Sequence, residues 1–198
     1  ILPALLSALR TVGRSRTLKS LFSWKVLMLV VFALLLHPNL RYYVTNIIEY
    51  PFHYKEYKHF GIRIPNGYKI HGIDVSRYQS RIDWTRVNNM KVGDVQIDFA
   101  FIKATQGTWI KDPHFERNWE KSKENGVVRG AYHFFHPSLS PKSQALHFAK
   151  TVKLEKGDLP PVCDVEKDEG LGKEMVCKST LAFLRLLEVK YGVKPILY

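Results

Sequence analysis

Two carboxylates separated by one valine close the run Leu159-Pro160-Pro161-Val162-Cys163-Asp164-Val165-Glu166. Proline is tolerated at the start of a strand but not inside one, so Pro160 and Pro161 mark a strand start. Side chains at i and i+2 of a strand share a face. Asp164 and Glu166 therefore project together, roughly 7 Å apart at ~3.3 Å rise per residue. A like-charged pair can keep one carboxyl protonated as an acid and the other ionised. A strand tip running out into solvent would carry the same two acids with no chemistry, so the neighbours decide. Those neighbours are polar residues at the ends of other apolar runs: Asp74, Lys103 to Gln106, and Tyr132 to His136.

The elements that must position them alternate along the chain. Residues 70–76 read as a strand, and 83–90 as a helix with Asp83 as N-cap. Residues 99–105 form a second strand, then 113–125 a helix with Pro near its start and Gly126 just past its end. Residues 127–135 give a third strand. Residues 140–152 give a helix opened by Ser140 and Pro141 at the N-cap and N1 positions. The strand carrying Asp164 and Glu166 follows, then a long helix over 173–191 ending at Gly192, and a fifth strand from Pro195. Strand–helix alternation predicts a parallel sheet with helices outside. No glycine-rich fingerprint follows the first strand, which argues against a dinucleotide-binding fold. A TIM-like β/α barrel remains, with its site at the C-terminal ends of the strands. Both chain ends look cut, and the barrel is expected to be truncated after about the fifth strand.

Several motifs in this stretch resemble glycoside hydrolase family 25, the β/α-barrel muramidases. They are Gly72-Ile73-Asp74-Val75-Ser76-Arg77-Tyr78-Gln79, Ile82-Asp83-Trp84, Phe101-Ile102-Lys103-Ala104-Thr105-Gln106-Gly107, Gly130-Ala131-Tyr132-His133-Phe134 and Pro161-Val162-Cys163-Asp164-Val165-Glu166. The resemblance runs in unbroken order from about residue 70 to 198 and says nothing of residues 1–69. It implies hydrolysis of the β-1,4 bond between N-acetylmuramic acid and N-acetylglucosamine in peptidoglycan. By motif, Asp74 corresponds to the family's first-strand acid, and Asp164 and Glu166 to its Asp-x-Glu pair. Glycosidic cleavage needs one acid for the leaving oxygen and a second group for the cationic sugar. Glu166, furthest along the strand, is assigned as general acid. Asp164 is assigned to assist attack by the substrate's 2-acetamido group, with direct carboxylate attack left open. Asp74 holds substrate or tunes the pair.

The resemblance has two departures. The family usually carries Glu in Lys-Ala-Thr-x-Gly, where this chain has Gln106. A neutral amide can bind sugar but not carry a proton, so Gln106 is expected to bind substrate along with Lys103 and Tyr132. It also keeps open a catalytically impaired glycan-binding module, and hydrolysis of another amino-sugar polymer is a third reading. The family's closing strands would lie beyond Tyr198, so residues 64–198 alone are expected to be unstable or inactive, with an unpaired sheet edge. Tyr132, Phe134 and His136 alternate onto one face, either stacking on sugar or filling a barrel layer. His133 and His136 are expected to be structural, and neither a metal nor a cofactor is called for.

The 198 residues are 45% hydrophobic with a net charge of +12. Residues 1–63 hold nine Lys/Arg against two Glu, so the basic excess is densest there. No nucleic-acid motif accompanies it. Residues 1–20 read as a basic cytoplasmic flank. Residues 21–40, with the leucine-rich run 26–36, read as an uncleaved transmembrane anchor, provided Lys25 snorkels. The catalytic domain over 70–198 would then lie outside the cytoplasm, as a monomer acting on peptidoglycan strands. Residues 41–69, rich in Tyr and Phe, read as a linker. Of the two cysteines, Cys163 faces the packing layer; two buried free thiols are favoured over a disulfide.

Overall fold

A computed structural model describes residues 24–36 and 54–198. The chain divides into two compact units, Ile1–Gly67 and Tyr68–Tyr198.

In the first unit, α1 (Trp24–Leu36) is 13 residues long. At 1.5 Å per residue it reaches about 20 Å, against the ~30 Å of a bilayer core. Among the described residues no helix is long and apolar enough to cross a membrane. The anchor expected over 21–40 is thus met only by this shorter helix; residues 21–23 and 37–40 lie outside the described residues, as does the flank over 1–20. The segment read as a linker carries an antiparallel hairpin, β1 (Tyr54–Tyr57) and β2 (Ile62–Pro65). Its turn closes through the Gly61 amide on the Tyr57 carbonyl, with Gly61 at φ 66°. That left-handed geometry suits a residue without Cβ. The alternation Ile62-Arg63-Ile64 and this glycine were the available strand signals.

The second unit is an α/β fold on a mostly parallel sheet. Its elements are β3 (Gly72–Val75), α2 (Trp84–Asn88), the small hairpin β4 (Lys91–Val92) and β5 (Val95–Gln96), β6 (Phe99–Gln106), β7 (Ile110–Lys111), α3 (Phe115–Glu124), β8 (Val128–Phe134), α4 (Pro141–Thr151), β9 (Val162–Asp164), α5 (Lys173–Tyr191) and β10 (Ile196–Leu197). The strands β3, β6, β8, β9 and β10 lie side by side in chain order, all parallel. This is the order of a β/α barrel, with β3 and β10 as its edges here. β7 pairs antiparallel with the end of β6.

Local chemistry sets the helix ends. Asp83 caps α2 by accepting from the Arg86 amide, and Ser140 caps α4 by accepting from the Ser143 amide ahead of Pro141. Gly192 ends α5 at φ 70°. Pro113 falls outside α3, which starts two residues later with His114 as an N-cap that makes no side-chain bond.

One sheet face is sealed by helices. Ala100, Ile102, Ala104, Ala131, Phe135 and Cys163 pack there against Phe115, Trp119, Phe148, Phe183 and Leu187. His133 belongs to this face. It stacks on Phe183 at 4.9 Å between ring centroids, with its ring nitrogens on Thr105 Oγ1 (2.7 Å) and Gln144 Oε1 (3.1 Å). Burial drives its pKa down to about 3, so it is a neutral core residue. On the other face, Phe99 lies over Gly72 and Phe101 over Gly130. A Cβ on either glycine would fall 2.2 Å and 2.4 Å from those rings. Both cysteines are free, but only Cys163 is buried; Cys177 is exposed on α5, contrary to the expected pair of buried thiols.

Candidate active site

The open face of the sheet holds a cleft of about 420 Å³ lined from all five parallel strands, including Asp74, Phe99, Tyr132, Asp164, Glu166 and Tyr198. Side chains from both edge strands, β3 and β10, meet in one cleft, so the sheet is curled. The three acids and Tyr132 singled out in the sequence come together here. Phe99, Phe101, Ile196 and Tyr198 also line it. Their signal was the period-two alternation of Phe99, Phe101 and Lys103 along one strand face.

Asp164 ends β9 and Glu166 lies two residues past it, so the strand is shorter than expected while the shared orientation is kept. Asp164 is buried at 7% exposure, whereas Glu166 and Asp74 are exposed. The Asp164 Oδ1 is buried with no hydrogen-bond partner. Burial first, then the Glu166 charge, raises the Asp164 pKa from 3.8 to about 6; Lys103 opposes the rise and Asp74 adds to it. The Tyr132 phenol is likewise pushed up, by burial and then by Asp74 and Asp164, so it stays a neutral donor. The sequence placed the proton on Glu166 from its position alone; here it is Asp164 whose proton affinity is raised.

Lys103 and Gln106 do not line the cleft. A β-bulge between Lys103 and Thr105 shifts the strand phase. Ala104 and Thr105 both turn into the core, and Gln106 joins Lys103 on the open side. The Lys103 ammonium donates to Gln106 Oε1 (2.9 Å) and stands 4.6 Å from the Phe134 ring centroid. Burial lowers its pKa, opposed by Asp112 and Asp164. The Gln106 Nε2 faces His136 Nε2 at 3.2 Å, so both ends of the amide are taken within the protein.

Asp112 escaped the sequence reading. It is buried and accepts the Arg77 amide (2.8 Å) and the His114 amide (2.9 Å), tying the loop after β3 to the loop after β7. Nothing local in the sequence marks a contact spanning 35 residues. Among the described residues no group of three His, Cys, Asp or Glu is placed to hold a metal ion.

The family model for glycosyl hydrolases family 25 matches residues 73–198. The Escherichia coli K12 protein YegX, described as uncharacterized, is 48% identical over 155 residues, covering 78% of this chain and 57% of YegX. Lysozyme M1 of Streptomyces globisporus is 39% identical over 101 residues, covering 49% of this chain and 33% of that protein. A solved family 25 glycosyl hydrolase from Bacillus anthracis superposes with a TM-score of 0.63 at 35% identity, covering 74% of this chain and 64% of that one. The chain thus spans little more than half the length of YegX.

Proposed function

The chain belongs to glycosyl hydrolases family 25, and from that premise we propose that it is a muramidase. Its reaction is hydrolysis of the β-1,4 bond between N-acetylmuramic acid and N-acetylglucosamine in peptidoglycan. The observation that carries this reading is the convergence of Asp74, Tyr132, Asp164 and Glu166, from three different strands and the loop after β9, on one cleft. Relatives described as lysozyme and as N,O-diacetylmuramidase support it.

Glu166, open to the cleft, protonates the leaving oxygen. Asp164 accepts the N–H of the substrate's 2-acetamido group, which sharpens the carbonyl oxygen for attack on the anomeric carbon. Tyr132 donates from its neutral hydroxyl, and Asp74 adds negative charge on the opposite wall. Lys103 and Gln106 support the site from beside the cleft rather than touching sugar. The glycan lies outside the cytoplasm, so the domain would act there; attachment through residues 21–40 rests on the basic flank and leucine-rich run alone.

The test is release of reducing ends from purified peptidoglycan by the full-length protein, abolished in Glu166→Gln. Binding without turnover in the unaltered chain would replace this reading with a glycan-binding module.

A further inference from the structure

On the open face beside the cleft runs a chain of hydrogen-bonded polar side chains. Lys103 Nζ donates to Gln106 Oε1 at 2.9 Å, and Gln106 Nε2 meets His136 Nε2 at 3.2 Å. His136 Nδ1 meets a Glu169 oxygen, and the other Glu169 oxygen takes the Ser138 amide at 3.1 Å and the Ser138 hydroxyl at 2.5 Å. The members come from β6, the loop after β8 and the loop after β9. Gln144 clamps the His136 backbone on both sides, accepting its amide and donating to its carbonyl, each at 2.9 Å. Glu169 adopts φ 54°, a left-handed conformation that costs a residue with a Cβ roughly 1 kcal/mol or more.

The proton arrangement follows from the two ends. An ammonium only donates, so Gln106 must present its carbonyl oxygen to Lys103. Its amide nitrogen then faces His136 and donates, which makes His136 Nε2 an acceptor. The imidazole is therefore neutral, with its proton on Nδ1, and Nδ1 donates to Glu169, which only accepts. Every group is satisfied in one direction only. A glutamate at position 106 would place a negative charge directly on the ammonium. Glutamine holds the ammonium without cancelling it.

Resting on the muramidase reading, we infer that Glu169, His136 and Gln106 are positioning residues that hold Lys103 as a positive charge acting on Asp164. Lys103 also feels Asp112, Arg77 and Tyr78. Asp164 also feels Glu166 and Asp74. Lys103 Nζ stands 4.6 Å from the Phe134 ring centroid, and Phe134 is the in-register strand partner of Asp164; within that set of charges, Lys103 is the cation that makes ionisation of Asp164 easier. The strained Glu169 backbone is retained because it seats the carboxylate that ends the chain.

The experiment titrates the Asp164 carboxyl by carbon-13 NMR in the whole chain, with Asp164→Asn identifying its resonance. Reducing-end release is followed across pH in parallel. Lys103→Met is expected to raise the Asp164 midpoint by about half a pH unit or more. Gln106→Glu moves it in the same direction, and Glu169→Gln does so by less. Ser138→Ala, an exposed change that only loosens Glu169, gives a smaller move of the same sign and guards against misfolding of Glu169→Gln. The acid limb of the rate profile follows the midpoint. An unchanged midpoint in Lys103→Met overturns the inference. So does a midpoint that responds to Lys103→Met but to none of the other three. A chain that releases no reducing ends, yet whose midpoint moves as described, upholds the network and removes the muramidase reading.

Discussion

A nearly buried aspartate side chain stands on each side of β9, one in the loop before it and one at its end, and the two are held in opposite ways. In the loop, Asp158 has a side chain 7% exposed and takes Arg129 Nε at 2.7 Å and Nη2 at 3.2 Å, plus the Glu155 amide at 2.8 Å. Arg129 is itself pinned by the Trp119 carbonyl at 2.8 Å and lies 3.9 Å from the Trp119 ring centroid. At the other end, Asp164 has an oxygen with no partner and two acidic neighbours. Both side chains are largely withdrawn from water, but only the first is compensated. The first carboxylate holds the sheet together; the second is kept costly, and that cost is what makes it responsive to protons.

The contrast can be broken from either side. The largest effect is expected from Glu166→Gln, which should cut reducing-end release by about 10²–10⁴-fold without lowering the melting temperature. Asp158→Ala should do the reverse. It removes the two-toothed partner of buried Arg129 and leaves only the exposed Glu155 carboxylate at 3.1 Å, so it should cost about 3 kcal/mol in denaturant unfolding, with Asp164 titrating as before. In the unaltered chain, hydrolysis should fall on acidification below the Asp164 midpoint of about 6, reaching about a hundredfold loss at pH 4 if the ionised form is required.

The smallest effect sharpens the comparison most. The Asp164 pKa is raised in the folded state, from 3.8 to about 6. The native chain therefore holds that proton more tightly than the unfolded chain does. The resulting penalty is absent below about pH 4, grows between pH 4 and 6, and is constant above. Asp164→Asn removes it. Unfolding curves should show a gain of about 1–3 kcal/mol at pH 8 and none at pH 3. A stabilisation of equal size at both pH values would mean that Asp164 is not held at a cost.

Much of this was legible from residue types. Asp83, Ser140-Pro141 and Gly192 each do at a helix end what their chemistry suggests, and α5 spans the expected residues. The meeting of Asp74 with Asp164 and Glu166 followed from placing acids at strand ends. The bulge at Lys103–Thr105 was not legible, because one extra residue in a strand leaves no mark in composition. Yet it decides that Gln106 faces the open side. Glu169 meets His136 across 33 residues, and Asp112 meets Arg77 across 35. Such contacts depend on how loops are brought together, and local periodicity carries no record of that.

The rings of Phe99 and Phe101 rest where Gly72 and Gly130 lack a side chain. The depth of the groove is thus set by two missing methyl groups. Alanine at either position would push a ring into the cleft, even though no acid had been touched. Each glycine is therefore tied to the phenylalanine across from it. Sequence drift at one member of a pair should be tolerated only when the other shrinks with it.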